Sequence, residues 1–366
     1  MSKVRLPLGP YHPAAALPLG LGLCLHGETI AGLAPVETGY ARRGIADLAA
    51  GRPIDEVLLI VERACSLAHE SHRIALCMAI EAAAGFAAPP AALRVRLLYA
   101  ELERIMARLW NLALCARAVG AGEAEAEALE QREALYEALQ AATGRRQFWA
   151  VALPGGVRED LDAAPLKRVL HTLDPALAGW RAWVAPSGPL GRAGDALGRL
   201  SAERIAELEL TGIAACGSRA GADLRRAQPY GAYDAHAAAL AVPERRLGGD
   251  VAARLVCIVD DIGASVALAR PVTDELVAAA APPALRAQLG GLRPGAIGVA
   301  AVEGPHGPIE IAVTLAGAAS LAQLRLSEPG TAALVVALPE LLEGRSLTQA
   351  PVILASLDLC IECLDL

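Results

Sequence analysis

Glu62-Arg63-Ala64-Cys65-Ser66-Leu67-Ala68-His69-Glu70-Ser71-His72 and, near the end of the chain, Asp358-Leu359-Cys360-Ile361-Glu362-Cys363 are the two stretches on which the reading of this sequence turns. Eight cysteines in a chain of this length make no dense disulfide pattern, and thiols at short spacing then point to metal rather than to cross-links. In Cys360-x-x-Cys363 a helix turn or tight loop brings both sulfurs onto one ion, although such pairs also serve redox or structural roles. Cys24, Cys77, Cys115, Cys216 and Cys257 lie inside apolar runs and read as small buried hydrophobes. Cys65, Cys360 and Cys363 remain as the candidates for chemistry.

With 366 residues, 54% hydrophobic and 20% charged, the chain can bury a large core as one big domain or two ordinary ones. A mean hydropathy of +0.39, carried largely by alanine and leucine, is high for a free monomer and fits a subunit covered by partners. The net charge of -7 and the 3% aromatic content argue against a nucleic-acid binder, which needs a basic face and stacking platforms. No window reaches the roughly eighteen apolar residues of a spanning helix, so membrane association is expected through a partner. Lys3 and Arg5 ahead of Ala14–Leu25 imitate a secretory signal, but Pro18, Gly20 and Gly22 break it. The expected location is cytoplasmic.

Three regions of one integrated unit are expected: a β unit over 1–50, a helical bundle over 51–245, and a mixed α/β region over 246–366 carrying the second cysteine pair. Alternating leucines predict a strand over Leu19–Leu25, a turn at His26-Gly27 and a strand over Thr29–Leu33. Helices are expected from Ile54 through Ala68, from the His72 region to Ala84, and over Ala91–Val119, Glu123–Ala142, Ala164–Ala178 and Ala193–Leu210. Apolar runs at Leu255–Val259, Ile297–Val302, Ile309–Leu315, Ala333–Leu338 and Val352–Leu357 read as strands, the last one delivering Cys360.

Further signatures run in order from one end of the chain to the other. They include Gly9-Pro10-Tyr11-His12-Pro13, His26-Gly27-Glu28, Gly39-Tyr40-Ala41-Arg42-Arg43-Gly44-Ile45 and Ala100-Glu101-Leu102-Glu103-Arg104-Ile105. Pro154-Gly155-Gly156-Val157-Arg158-Glu159-Asp160, Asp223-Leu224-Arg225-Arg226 and Pro229-Tyr230-Gly231-Ala232-Tyr233 follow. With the two cysteine segments they resemble the large subunits of membrane-bound, energy-converting (group 4, formate-hydrogenlyase-type) nickel-iron hydrogenases and the homologous subunit of respiratory complex I. The hydrogenase pattern is Arg-x-Cys-Gly-x-Cys-x-x-x-His with Asp-Pro-Cys-x-x-Cys. Cys65, Cys360 and Cys363 are in register with it, and Ala68 stands at the fourth thiolate.

The resemblance implies an α/β (α+β) fold with a small N-terminal sheet, a central long-helix bundle and a C-terminal mixed β region returning to the core. It implies nickel and iron as cofactors, with Cys65 and Cys360 as terminal nickel ligands and Cys363 bridging. It also implies an iron-sulfur small subunit, similar to the one in complex I, whose cluster feeds the site, and membrane subunits that hold the assembly to the cytoplasmic face of the inner membrane. His72 falls on the family's histidine around the metal, Arg63 on its arginine, and His306 in Pro305-His306-Gly307 on an arginine that covers the iron. A histidine there is expected to donate a hydrogen bond but to supply no fixed charge at neutral pH. The family's proton-relaying glutamate falls near Leu17, which cannot titrate, so the usual proton exit is expected to be absent or rerouted, and Leu364-Asp365-Leu366 offers none of the family's basic trimming signal. His69, beside the gap, would complete a Cys3His set for one zinc-like or nickel ion, or serve as an ordinary hydrogen-bonding residue. Glu28, Arg43, Glu101 and Glu103 read as structural polar anchors.

The expected function is a hydrogenase-large-subunit-like component of a membrane-associated oxidoreductase complex with an altered or partial nickel-iron site. Two alternatives stand beside it: a non-catalytic coupling subunit that has lost the metal, and an NADH dehydrogenase-like quinone- or sulfur-reductase subunit. For the quinone case His12 approximates the headgroup-binding histidine, while Ser66 replaces a tyrosine and offers neither ring nor comparable proton donor.

Overall fold

Leu21, Leu23 and Leu25 point to one side of their strand and are buried, as the alternation predicts. The structure, a computed structural model, describes residues 3–12, 18–158, 162–236, 240, 248–279, 285–288, 290–317 and 319–366. Pro13, Leu17, Glu159 and Asp160 lie outside the described residues. The first sheet is antiparallel, β1 (Lys3–Leu8) pairing with β2 (Leu21–His26) and β2 with β3 (Thr29–Leu33). Glu28 sits on the exposed β2–β3 turn, a correction to its reading as an anchor.

Two short helices, α1 (Ile45–Ala49) and α2 (Ile54–Val61), lead to α3 (His69–Ala84), which ends at Gly85 in the left-handed conformation a C-cap favours. The helix expected from Ile54 to Ala68 thus stops at Val61, leaving residues 62–68 as an irregular segment that carries Cys65. The long α4 (Pro90–Ala118) and α5 (Gly122–Thr143) follow the sequence expectation closely. A small hairpin of β4 (Ala152–Leu153) and β5 (Gly156–Val157) precedes α6 (Ala163–Val184), whose N-cap Asp162 accepts from Ala164 N.

The single helix expected over Ala193–Leu210 is broken into α7 (Pro189–Gly194) and α8 (Ala202–Glu207). The short α9 (Gly212–Gly217), α10 (Leu224–Ala227) and α11 (Tyr233–His236) come next, and then α12 (Val251–Ala278). Leu255–Val259, expected as a strand, lies inside α12, which packs between α4 and α6; an apolar run buried on every side hides its helical period. Cys216 and Cys257 form a disulfide joining α9 to α12, so they are not two separate buried hydrophobes.

The late region is an antiparallel sheet of β6 (Ile297–Gly304), β7 (Gly307–Gly317) and β8 (Ser320–Ser327). The two expected strands are present, and β8 is an addition. Ala333–Leu338 falls in α13 (Pro329–Leu342) and Val352–Leu357 in and just after α14 (Ala350–Ser356), so a helix rather than a strand delivers the last cysteines, Cys360 at the N-cap of α15 (Ile361–Leu364) and Cys363 within it. Short apolar runs are ambiguous between helix and strand, and here the neighbouring elements decide.

Two apolar cores result. The larger joins α4, α5, α6 and α12 around residues such as Trp180 and Leu255. The smaller lies between α1–α3 and the late sheet, and Cys65, Cys360 and Cys363 belong to it. β6 lies directly on α3: a Cβ at Gly298 would stand 1.9 Å from Ala79 O and 2.5 Å from Ala83 N.

Gly298→Ala must therefore push the sheet off α3, and we expect it to lower the unfolding free energy by about 2 kcal/mol or more in chemical denaturation, where a neutral result would contradict this packing. Glu303, at the end of β6, is raised from 4.5 to about 7, chiefly by burial, with Asp223 adding to the rise. A carboxyl raised on folding contributes stability that is complete below pH 4.5 and lost as pH climbs through about 7. Glu303→Gln should flatten that decline by about 2 kcal/mol, read as the difference between denaturation midpoints at pH 5 and pH 8.

Candidate metal centre

Three segments distant in sequence meet at one place because a single face of α4 holds all of them. The Glu103 carboxylate accepts from Glu70 N (2.7 Å), Ser71 N (2.9 Å) and Ser71 Oγ (2.5 Å), capping the first turn of α3 from another helix. One residue on, Arg104 donates to the carbonyls of Glu303 (2.5 Å) and Gly304 (2.7 Å) at the end of β6. One turn further, Arg108 donates to Pro305 O, to Asp358 and, at 2.8 Å, to Asp261. Arg225 bridges Asp261 (2.8 Å) and Glu101 (2.9 Å), so the buried charges are paired throughout.

A second clamp joins the cysteine segments to each other. Arg43 donates to the carbonyls of Arg63 (2.6 Å) and Ala64 (2.7 Å), and Glu362 accepts from Ser66 N (2.5 Å). Asp365 accepts from Gly39 N (2.8 Å) and Ala41 N (2.9 Å), pinning the last turn to the loop that carries Arg43.

Between these clamps lie the three thiols. Cys65 and Cys360 are 0% exposed and Cys363 5%; their sulfurs are 3.4 Å (Cys65–Cys360) and 2.9 Å (Cys360–Cys363) apart. The hydrogen bonds from Cys360 and Cys363 and the neighbouring His306 hold the Cys65 thiol well below its ordinary range, whereas burial raises Cys360 and Cys363 well above theirs. Of the three, Cys65 is the one that gives up its proton most readily. A tetrahedral ion at about 2.3 Å from each sulfur sets them about 3.7 Å apart, so small side-chain rotations would seat one. The donor set fits a thiophilic ion, with a fourth position left open at Ala68, which is fully buried.

His306 lies on the β6–β7 turn, with Nδ1 3.1 Å from Asp358 Oδ2. Burial alone would lower its pKa, but the Asp358 carboxylate and the Cys65 sulfur lift it well above the usual histidine range. The Asp358 carboxylate and the Cys65 sulfur thus favour the charged form of the His306 ring, where its sequence suggested no fixed charge. His72 is fully buried on α3; its Nδ1 donates to Ala68 O at 2.7 Å and its Nε2 is 3.1 Å from Glu328 Oε1. Burial opposes its protonation, yet Glu328 raises its pKa to about 9.

The structure separates the remaining candidates from the thiols. His69 stacks on Trp149 (5.6 Å, 8°) and faces Glu103 at 3.9 Å, so the thiols and His69 do not form a Cys3His set. Arg63 is exposed, donates to Leu59 O and Glu62, and lies over the Trp149 ring at 4.3 Å. His12 follows β1 and belongs to neither group of metal-capable side chains found among the described residues, while Ser66 is exposed above the thiols. Three contributors had no role in the sequence reading: Asp358, quoted only as part of its motif, Arg108 and Glu328. A charge inside an apolar helix marks Arg108; nothing local marks Glu328.

Residues 119–289 match the family described as respiratory-chain NADH dehydrogenase, 49 Kd subunit. The chain is 31% identical over 280 residues to a subunit of the NADH-quinone oxidoreductase of Ruegeria pomeroyi, covering 75% of this chain and 68% of that one. It is 28% identical over 374 residues to the carbon monoxide-induced hydrogenase of Rhodospirillum rubrum, with both chains covered completely. Among solved structures, a chain of the membrane-bound sulfane sulfur reductase, an archaeal respiratory membrane complex, superposes with a TM-score of 0.88 at 23% identity, covering 100% of this chain and 98% of that one. The chain belongs to the family of the 49-kDa subunit of respiratory-chain NADH dehydrogenase and its counterpart in NADH-quinone oxidoreductase. No helix among the described residues is long and apolar enough to cross a membrane.

Asp365→Ala removes two charge-assisted hydrogen bonds, each worth about 1.5 kcal/mol or more, that hold the last turn closed. Cys360 and Cys363 should then react with a thiol reagent at least about tenfold faster than in the unaltered protein, as followed by mass spectrometry of the labelled peptide. Unchanged labelling would mean that Asp365 does not secure the site.

Proposed function

We propose that this chain is the site-bearing large subunit of a membrane-associated oxidoreductase complex, and that Cys65, Cys360 and Cys363 hold a metal ion in an altered nickel-iron-type centre. The observation that carries this reading is the convergence of three buried thiols, from segments 295 residues apart, beside a buried histidine–aspartate pair. Nickel suits the sulfur donors, and when bound such an ion supplies redox chemistry. The protein's own groups would do the rest. Cys65 is already poised as a thiolate, and His306 would deliver or accept a proton at its sulfur while Asp358 and Arg108 keep the ring in place. The irregular segment 62–68 presents Ser66, Arg63 and the nearby Arg43 to solvent above the thiols, the face over which an iron-sulfur small subunit would dock. Membrane subunits would then hold the assembly on the cytoplasmic face.

A second reading has one observation in its favour: the Cys360–Cys363 sulfurs, 2.9 Å apart, stand close enough for thiol exchange. Attack of one thiolate on the terminal sulfur of a polysulfide or persulfide would break the substrate's S–S bond, expel the shortened chain as a thiolate and form a protein persulfide. Attack of the second thiol on it would release hydrogen sulfide and leave a disulfide, to be reduced by two electrons from the partner subunit and two protons. The quinone reading has less behind it, because Ser66 lies exposed and supplies no ring.

Metal analysis of the assembled complex, purified without chelator, separates these readings. We expect metal bound per chain at near-stoichiometric amount, with sulfur in the first coordination shell by X-ray absorption, and a loss of at least about tenfold in Cys65→Ser. A complex that contains no metal at this site and in which the thiols cycle to a disulfide would overturn the metal reading in favour of the second.

A further inference from the structure

Beside the thiols lies another set of donors for which none of the above accounts. His72 Nε2 and Glu328 Oε1 face each other at 3.1 Å as a buried ion pair, and neither atom has any other partner. Both side chains are sealed from water, His72 at 0% and Glu328 at 6% exposure. Each of these buried atoms relies on the other alone, and a cation that engaged both would satisfy them more fully. Cys363 Sγ completes the group, all three ligand atoms lying within 4.8 Å of one another.

The histidine is prepared as a ligand. Its Nδ1 is committed to Ala68 O at 2.7 Å, which fixes the ring's orientation and turns Nε2 toward Glu328 and Cys363. Glu328 stands at the N-cap of α13 but makes no cap hydrogen bond, so its carboxylate is not engaged in the ordinary duty of that position. The small methyl of Ala68 leaves the neighbourhood without a fourth sulfur.

We infer that His72, Glu328 and Cys363 form a second cation seat, sharing the Cys363 sulfur with the thiol site. One nitrogen, one carboxylate oxygen and one thiolate make a borderline donor set, suited to zinc or ferrous iron rather than to the softer ion that three thiolates favour. Binding would displace the proton of Cys363 and the one that His72 Nε2 shares with Glu328. The inference rests on the metal reading of the thiols only through their shared Cys363.

Zinc chloride added to the chelator-treated, assembled complex is the probe, with bound zinc counted by mass spectrometry after gel filtration. The unaltered protein should hold two ions per chain, whereas Glu328→Gln and His72→Gln should each hold one, and Cys65→Ser should also hold one, at the other seat. Co-elution of every variant with its partners confirms that it is folded. The first coordination shell separates the two losses: Glu328→Gln should retain an all-sulfur protein shell, Cys65→Ser a mixed nitrogen, oxygen and sulfur shell. If the unaltered protein and Glu328→Gln bind the same amount, His72 and Glu328 are an ion pair only and this inference fails, while loss of zinc in Cys65→Ser still upholds the thiol site. If Cys65→Ser loses nothing and Glu328→Gln does, the second seat stands and the thiol reading fails.

Discussion

A short run of α4 carries charges that the interior of this protein must satisfy, and satisfying them assembles the site. Glu103 can accept only if the start of α3 is brought to it, Arg104 donates only to the end of β6, and Arg108 reaches both the His306 turn and Asp358. A buried charge left without a partner costs several kcal/mol, so each of these contacts is close to obligatory once α4 is buried. The helix thereby acts as a jig, fixing the three segments that bear Cys65, His306 and Cys360 relative to one rigid axis. Its own position follows from packing against α5 and α12 in the larger apolar core.

The chemistry of the thiols depends on that jig. Three sulfurs in an apolar core would otherwise remain protonated, as Cys77 and Cys115 illustrate, both pushed up to about 12 by burial. Cys65 departs from this first because Cys360 and Cys363 hydrogen-bond to its sulfur, and then because His306, whose protonated form Asp358 favours, lies next to it. Asp358 in turn adopts a left-handed backbone, φ 55°, and is held there by Arg108. One arginine on α4 is thus connected through an aspartate and a histidine to the ionisation of a cysteine.

Much of this was legible beforehand, and the misreadings share a cause. Ala91–Val119 and Glu123–Ala142 declared themselves as helices because one face differs from the other. Leu255–Val259, Ala333–Leu338 and Val352–Leu357 looked like strands because they are apolar all round, and burial on every side erases the periodicity that distinguishes the two structures. The three cysteines that meet in the structure were recognisable from spacing and order. His69 was not separable from His72 on sequence, although only His72 faces the thiols; three residues of helix place their rings on different neighbours. Arg104 and Arg108 gave no sign of their carbonyl partners, which lie about 200 residues away.

The sequence by itself determined which donors exist, the three sulfurs and the missing fourth at Ala68, and which family of folds could bring such segments together. Donor type is a property of each side chain and needs no context. Tertiary structure alone decided the protonation of Cys65, the charge on His306, the removal of Arg63 and His69 from the site and the arrival of Glu328. Those are matters of desolvation and of charges a few ångströms apart, quantities that exist only after distant segments have been packed against one another.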